Sequence, residues 1–201
     1  RGLGDVYKRQ LYYNRLSENV LELLPKGKHL LDLGCGTGLF IQHYGKYGGA
    51  ATGLDLSPGM IQKARSRCRM GQFAIGNAEI LPFRDESFDA LSSLLAFSYL
   101  KEPESMIKEA YRVLKPGGVI AVVTLGKNLL TSGLPALYAM GEAMNIRHVG
   151  MGDFGERYYS ESEMNDLFFK AGFTDILVRR CSFAHINLID PLYGCLLYTS
   201  D

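Results

Sequence analysis

His29-Leu30-Leu31-Asp32-Leu33-Gly34-Cys35-Gly36-Thr37-Gly38, residues 29–38, is the stretch on which the fold turns. Leu30, Leu31 and Leu33 form a short apolar run of the kind that makes a buried strand, and a glycine-rich loop follows at once. Glycine turns the chain without a Cβ penalty, so backbone N–H groups can approach a ligand at the start of the next helix. Residues 39–47 read as that helix, closed by Gly48-Gly49, and 50–56 as a second strand with Asp55 near its end. Ser57-Pro58 is a helix start, Ser capping and Pro in the first turn, for a helix running to about residue 69.

Outward from there the alternation continues. Residues 72–75 and 88–95 read as strands, 102–114 as a helix ended by Lys115-Pro116-Gly117-Gly118, and 119–124 as a β-branched strand. On the other side, Leu16, Val20, Leu23 and Leu24 recur at helical spacing over residues 11–24 until Pro25 and Gly27. Strands alternating with helices imply right-handed crossovers, hence one α/β domain with a doubly wound, mostly parallel sheet. Residues 126–157 lack a clean strand period and read as a cap inserted between the fifth and sixth strands, with a helix over 134–145. Ser160 stands three before Glu163, a capping-box spacing that opens a helix to 171, and 173–180 is the sixth strand. The domain is expected to span residues 11–194. The segments 1–10 and 195–201 resemble translated adapter sequence and are set outside it; 183–188 is expected to begin a closing hairpin, with 192–197 a broken remnant of its partner.

Across 201 residues, 47% are hydrophobic and 21% charged, the composition of a globular domain. Lys+Arg is 22 against Asp+Glu 21, which offers no electrostatic case for a nucleic-acid or membrane-surface partner. Cys35, Cys68, Cys181 and Cys195 form no CxxC pair and do not cluster with the four histidines, so no metal site is expected. Scattered thiols and the lack of a long apolar run suit a cytoplasmic protein.

In an open parallel sheet, ligands lie beyond the carboxyl ends of the strands at the topological switch point, where residues 34–38 belong. A dinucleotide fingerprint needs G-x-G-x-x-G; counted from Gly34, its last glycine falls on Leu39, whereas the glycine here is Gly38. Asp32 opens the loop. Beside a pyrophosphate its carboxylate is repulsive; beside the amino group and sulfonium of S-adenosylmethionine (SAM) it is attractive. Asp55 suits a ribose, accepting from its 2′- and 3′-hydroxyls, and an NAD enzyme would use an acid in the same way.

The segments LLDLGCGTG, GLDLSPGMIQKAR, GNAEILPFRDESFDAL and EAYRVLKPGGVIAVV, in this order, make residues 30–127 resemble the class I SAM-dependent methyltransferase domain of the type 11 kind. That resemblance implies a SAM-dependent enzyme acting on a small-molecule acceptor such as a quinone, a lipid or another metabolite, by in-line displacement. It implies that Asp32 and the loop Gly34, Cys35, Gly36 and Gly38 hold the methionine part. Asp55 then holds the ribose, Leu56 and Met60 pack on the adenine, Asn77, Ala78 and Glu79 contact its edge, and Leu94 and Leu95 lie beside the methionine part. The family usually has Asp at position 77, so Asn77 is expected to anchor adenine more weakly. Residues 96–100 lack the histidines that relatives often carry, leaving Ser98 and Tyr99 either as substrate contacts or as packing. His148, Tyr158 and Tyr159 are the candidate bases, each also readable as an ordinary loop or helix-start residue, and no catalytic residue is assigned. The missing histidine and Asn77 leave a catalytically inactive SAM-binding protein as the alternative.

Overall fold

The structure, a computed structural model, describes residues 13–126 and 157–179, together with the backbone of 193–199. The element order is α1 (residues 13–21), β1 (His29–Leu33), α2 (Leu39–Gly45), β2 (Ala50–Asp55), α3 (Pro58–Arg67), β3 (Gln72–Ile75), β4 (Phe88–Leu94) and a 3-10 turn (Phe97–Tyr99). Then follow α4 (Pro103–Val113), β5 (Leu114–Leu125), α5 (Glu161–Lys170), β6 (Asp175–Arg179) and β7 (Tyr193–Thr199). The strands form one sheet in the order β3-β2-β1-β4-β5-β7-β6. All the pairings from β3 to β5 are parallel, and β7 runs antiparallel to both β5 and β6. This is the doubly wound α/β sheet that the alternation predicts.

The two faces can be read from the period of two along each strand. Leu30 packs with α1, α2 and α3 in a core with Val20, Phe40, Ile61, Ala90 and Val123. Leu31 and Leu33 point the other way, into a core with Met106, Ala110 and Phe168 of α4 and α5. Each fully buried Leu stabilises the fold by about 1.5–3 kcal/mol, so the alternation fixes β1 firmly. Asp32 shares the Leu30 side of the strand, under α1, and is 2% exposed. Its neighbours across the sheet are Gly53 of β2 and Ser92 of β4. The strand order reverses between β1 and β4, so the loop after β1 sits at the switch point.

The predicted caps are present. Ser57 accepts the Met60 N–H at α3. At α5, Ser160 Oγ accepts the Glu163 N–H at 3.2 Å while Glu163 accepts the Ser160 N–H at 2.7 Å, a full capping box. Two boundaries differ most from the sequence reading. β5 starts at Leu114, before the predicted turn, because the ladder shifts register between Phe88 and Ala90 and absorbs Lys115–Gly118 as a bulge. The sheet also runs past residue 194: in place of a broken remnant, Tyr193–Thr199 pairs with β5 on one side and β6 on the other. Segments 1–10, 127–156 and 183–188, with the expected helix over 134–145, lie outside the described residues. The two stems of the 126–157 insertion meet where Gly126 bridges Tyr159. Among the described residues no helix is long and apolar enough to cross a membrane.

Candidate functional site

The loop after β1 is shaped by three glycines in the left-handed region, Gly34 at φ 71°, Gly36 at 52° and Gly38 at 74°. They serve different ends. A Cβ on Gly34 would stand 2.3 Å from the Ala96 Cβ, and one on Gly38 would crowd Ala64 and Phe73. Around Gly36 no described residue lies within 4 Å of that position. Gly34 and Gly38 therefore serve packing, and Gly36 faces open space. Backbone bonds fix the rest: Gly34 and Cys35 donate to the Leu54 carbonyl, and Gly38 donates to that of Cys35. The Cys35 side chain is buried on the core side, where burial pushes its thiol up, away from the thiolate that a nucleophile needs.

Two carboxylates border this loop. The one hydrogen bond that the described residues give the Asp32 carboxylate is from Ser92 Oγ, at 2.7 Å. Burial pushes its carboxyl up to about 7; the Ser92 bond opposes the rise and the charge of Asp55 adds to it. A buried carboxylate with so little compensation is a site that a cation relieves. Asp55 is held differently: Oδ2 accepts the Gly36 N–H at 2.8 Å and Oδ1 the Ser57 N–H at 2.9 Å. Each oxygen keeps a further acceptor site for a ligand hydroxyl.

Beyond Asp55 the strand ends carry apolar surface. Leu56 is 73% exposed and Met60, in the first turn of α3, is exposed as well. Ile75, opposite Asp55 in the ladder, and Ile80 are exposed at the same edge, although the sequence reading does not single them out. Asn77 is exposed, and its Oδ1 accepts the Glu79 N–H at 3.0 Å. Ala78 is half-buried against the α4–α5 core. The Glu79 carboxylate is turned to α4: Oε1 accepts the N–H groups of Lys101 and Glu102. Leu94 is buried, and Leu95 holds a left-handed φ of 66° while donating to the Val123 carbonyl. A non-glycine residue in that region costs about 1–3 kcal/mol and is found preferentially at functional sites.

The other candidates separate from this group. Ser98 is fully buried, 2.7 Å from Thr124 Oγ1 and accepting the Leu125 N–H, so of its two readings packing holds; Tyr99 is exposed. Tyr159 packs on the α4–α5 core with its ring 5.2 Å from Phe97. Burial raises the pKa of its hydroxyl, against the charge and hydrogen bond of Arg157, which suits a donor better than a base. Tyr158 lines a groove of about 470 Å³ with Tyr159, Glu104 and Lys170 on that same face of the sheet, away from Asp32. His148 lies outside the described residues. One residue the sequence reading misses is Tyr13 of α1, whose phenol is pushed up by burial and then by the charge of Asp32. Only its helical spacing with Leu16, Ser17 and Val20 was available as a signal, and that marks a core face, not a cleft.

Residues 31–122 match the methyltransferase domain family. The chain is 30% identical over 181 residues to a demethylmenaquinone methyltransferase of Tropheryma whipplei, spanning 84% of this chain and 75% of that protein. It is 38% identical over 104 residues to a malonyl-[acyl-carrier protein] O-methyltransferase of Serratia marcescens, spanning 52% of this chain but only 41% of that relative. Among solved structures, a SAM-dependent methyltransferase from Thermotoga maritima superposes with a TM-score of 0.70 at 26% identity, covering 98% of this chain and 96% of that one. The [4+2]-cyclase SpnF superposes equally well, with a TM-score of 0.70 at 26% identity, covering 92% of this chain and 80% of that one.

Proposed function

The chain belongs to the class I SAM-dependent methyltransferases, and from that premise we propose that it transfers a methyl group from SAM to a small-molecule acceptor of the quinone, lipid or related metabolite class. The observation that carries the donor half is Asp32, a fully buried carboxyl at about 7 beside the open turn at Gly36. An ammonium group there restores the ionised form; a pyrophosphate would add repulsion to an already costly burial. The residues fit SAM in the arrangement that the family implies. Asp32 and the turn at Gly36 take the methionine part, Asp55 the ribose, and Leu56, Met60 and Ile80 the adenine faces. Asn77 and Ala78 lie along the adenine edge, and Leu94-Leu95 close the methionine end. Glu79 supports this loop from behind.

The donor supplies an electrophilic methyl on a sulfonium, displaced in line by the acceptor. The chain's own task is then chiefly alignment and exclusion of water, and positioning of this sort can lower a barrier by about 7–11 kcal/mol in favourable cases. The acceptor class is supported by the names of relatives, a demethylmenaquinone methyltransferase, a ubiquinone biosynthesis O-methyltransferase of Coxiella burnetii and a malonyl-[acyl-carrier protein] O-methyltransferase. The exposed Tyr99 on the turn after β4 adds an aromatic surface on the acceptor side.

Calorimetric titration with SAM, with S-adenosylhomocysteine and with NAD tests the donor half; stabilisation by NAD alone refutes it. Incubation with methyl-labelled SAM and a panel of quinols, fatty-acyl carriers and metabolite extract tests the acceptor half. Tight donor binding with no labelled product from any acceptor would mark a SAM-binding protein without transferase activity.

A further inference from the structure

We propose that Glu79 is a positioning residue that ties the order of the turn at residues 97–102, on the acceptor side, to occupancy of the donor cleft. The proposal rests on the donor reading above and adds a role for a side chain to which that reading gives only loop support.

The geometry is a relay through one carboxylate. Asn77 Oδ1 accepts the Glu79 N–H at 3.0 Å, and Asn77 Nδ2 lies 3.4 Å from Glu79 Oε2, so the two residues form a single tight turn at the adenine edge. The remaining oxygen, Oε1, accepts from the Lys101 N–H at 2.7 Å and the Glu102 N–H at 2.9 Å. Glu102 is the N-cap residue of α4, and its own side chain makes no capping bond. A residue more than twenty positions earlier in sequence therefore takes the N-cap amide, the bond that a Glu or Gln at N3 makes in a capping box and that Ser105 at that position of α4 leaves to another residue. These bonds, the Glu102 amide foremost, hold the Glu79 carboxyl below the usual carboxylate range, as expected for an anion held by amides.

α4 also grips the loop further along. Glu109 accepts the Leu81 N–H at 2.7 Å, and Arg112 donates to the carbonyls of Leu81 and Phe83. Those contacts hold residues 81–83, behind the adenine edge. Glu79 alone of these side chains joins residues 77–79 to the turn before α4. On its far side that turn is fastened through Ser98, whose Oγ accepts the Leu125 N–H and whose carbonyl accepts the Arg157 N–H. Ser98 thus ties the turn to the end of β5, and Glu79 ties it to the donor edge. A ligand that restrains residues 77 and 78 restrains Lys101 and Glu102 with them. By linkage, cutting the Glu79 bonds to the turn weakens the ligand by the factor through which the ligand orders the turn.

Hydrogen exchange with S-adenosylhomocysteine reads this directly, because it needs no acceptor. In the parent protein the ligand is expected to slow exchange in peptides covering 34–38, 77–81 and 98–104 together. Glu79→Ala should keep protection at 34–38, lose it at 98–104, and bind S-adenosylhomocysteine about fivefold more weakly, the low end of typical coupling. Glu79→Gln keeps an Oε1 acceptor for both amides and should restore the parent pattern, with affinity within about twofold, which a role for the charge alone would not allow. Parent protection confined to 34–38 and 77–81 overturns the coupling and leaves the donor reading intact, as does protection at 98–104 that survives in Glu79→Ala. No heat on titrating the parent with S-adenosylhomocysteine overturns the donor reading, and this proposal with it.

Discussion

The ends of β1 and β2 and the ends of β4 and β5 share one edge of the sheet, yet their polar groups are disposed in opposite ways. At β4–β5 the groups satisfy one another: Ser98, Thr124 and the Leu125 amide form a closed, fully buried set. At β1–β2 they are left wanting. Asp32 has one neutral hydroxyl for a fully buried carboxyl, and Asp55 is braced by two amides with acceptor capacity to spare. Polar groups that satisfy one another make a joint; groups that retain unmet demand make a binding site. The left-handed Leu95 lies where the two regimes meet, between β4 and the Ser98 turn.

The largest effect that can test this contrast is at Gly34. A methyl there meets Ala96 at 2.3 Å with the backbone already left-handed, so Gly34→Ala should lower stability by about 2–5 kcal/mol through the combined conformational and overpacking costs, read in a denaturant melt. Gly36→Ala adds the same methyl to open space. It should cost only about 1–2 kcal/mol of stability while cutting S-adenosylhomocysteine affinity at least tenfold. Unaltered affinity in Gly36→Ala would show that the open space is not where the donor lies.

Asp32 comes next. With its folded carboxyl at about 7 against an ordinary 3.8, the folded chain holds this proton more tightly than the unfolded one. Stability from this group therefore falls as pH rises from about 4 to about 7 and is level above. Donor binding has the opposite sign, since the cation needs the ionised form: affinity should drop by about tenfold per pH unit below about 7. Asp32→Asn should weaken SAM by about 1.5–3 kcal/mol, the worth of a hydrogen bond to a charged group, and flatten that acid limb. An unchanged limb in the variant would assign the pH dependence elsewhere.

Ser98 probes the joint. Ser98→Ala strands the Leu125 N–H and should cost about 1–3 kcal/mol of stability. S-adenosylhomocysteine affinity should hold, because Glu79 keeps its bonds to the turn. A comparable loss of affinity would mean that the two ends of the edge are not distinct.

How legible this was follows from where each signal resides. The Asp32 loop, the strand end at Asp55 and both Ser caps are written in contiguous residues, and each is found where the spacing puts it. The Glu79 link, the Ser98 joint and the nearness of Tyr13 to Asp32 join side chains far apart in sequence, and single-residue chemistry gives them no mark. Ser98 shows this plainly: a serine after a strand reads equally as contact or packing until Thr124 is seen beside it. β7 reads from the sequence only as a broken remnant, for another reason. Tyr193–Thr199 looks foreign in composition, but backbone pairing between β5 and β6 needs only an extended chain without a proline, which this segment is.

The smallest effect expected is at Asn77, where the two halves of the edge compete within one turn. An Asp at 77 keeps the Oδ1 acceptor for the Glu79 N–H, and toward the adenine amino group it turns a neutral hydrogen bond into a charge-assisted one of about twice the strength. It also replaces the Nδ2 that faces Glu79 Oε2 at 3.4 Å with a second anionic oxygen. The gain and the repulsion partly cancel, so Asn77→Asp should tighten SAM by only about two- to fivefold, on the order of 0.4–1 kcal/mol, measured by calorimetry. Neutralising the neighbour removes the cost but keeps the gain, so the double variant Asn77→Asp, Glu79→Gln should bind more tightly than either single one. If both the single and the double variant match the parent, residue 77 does not meet the adenine, and the donor edge ends at Asp55.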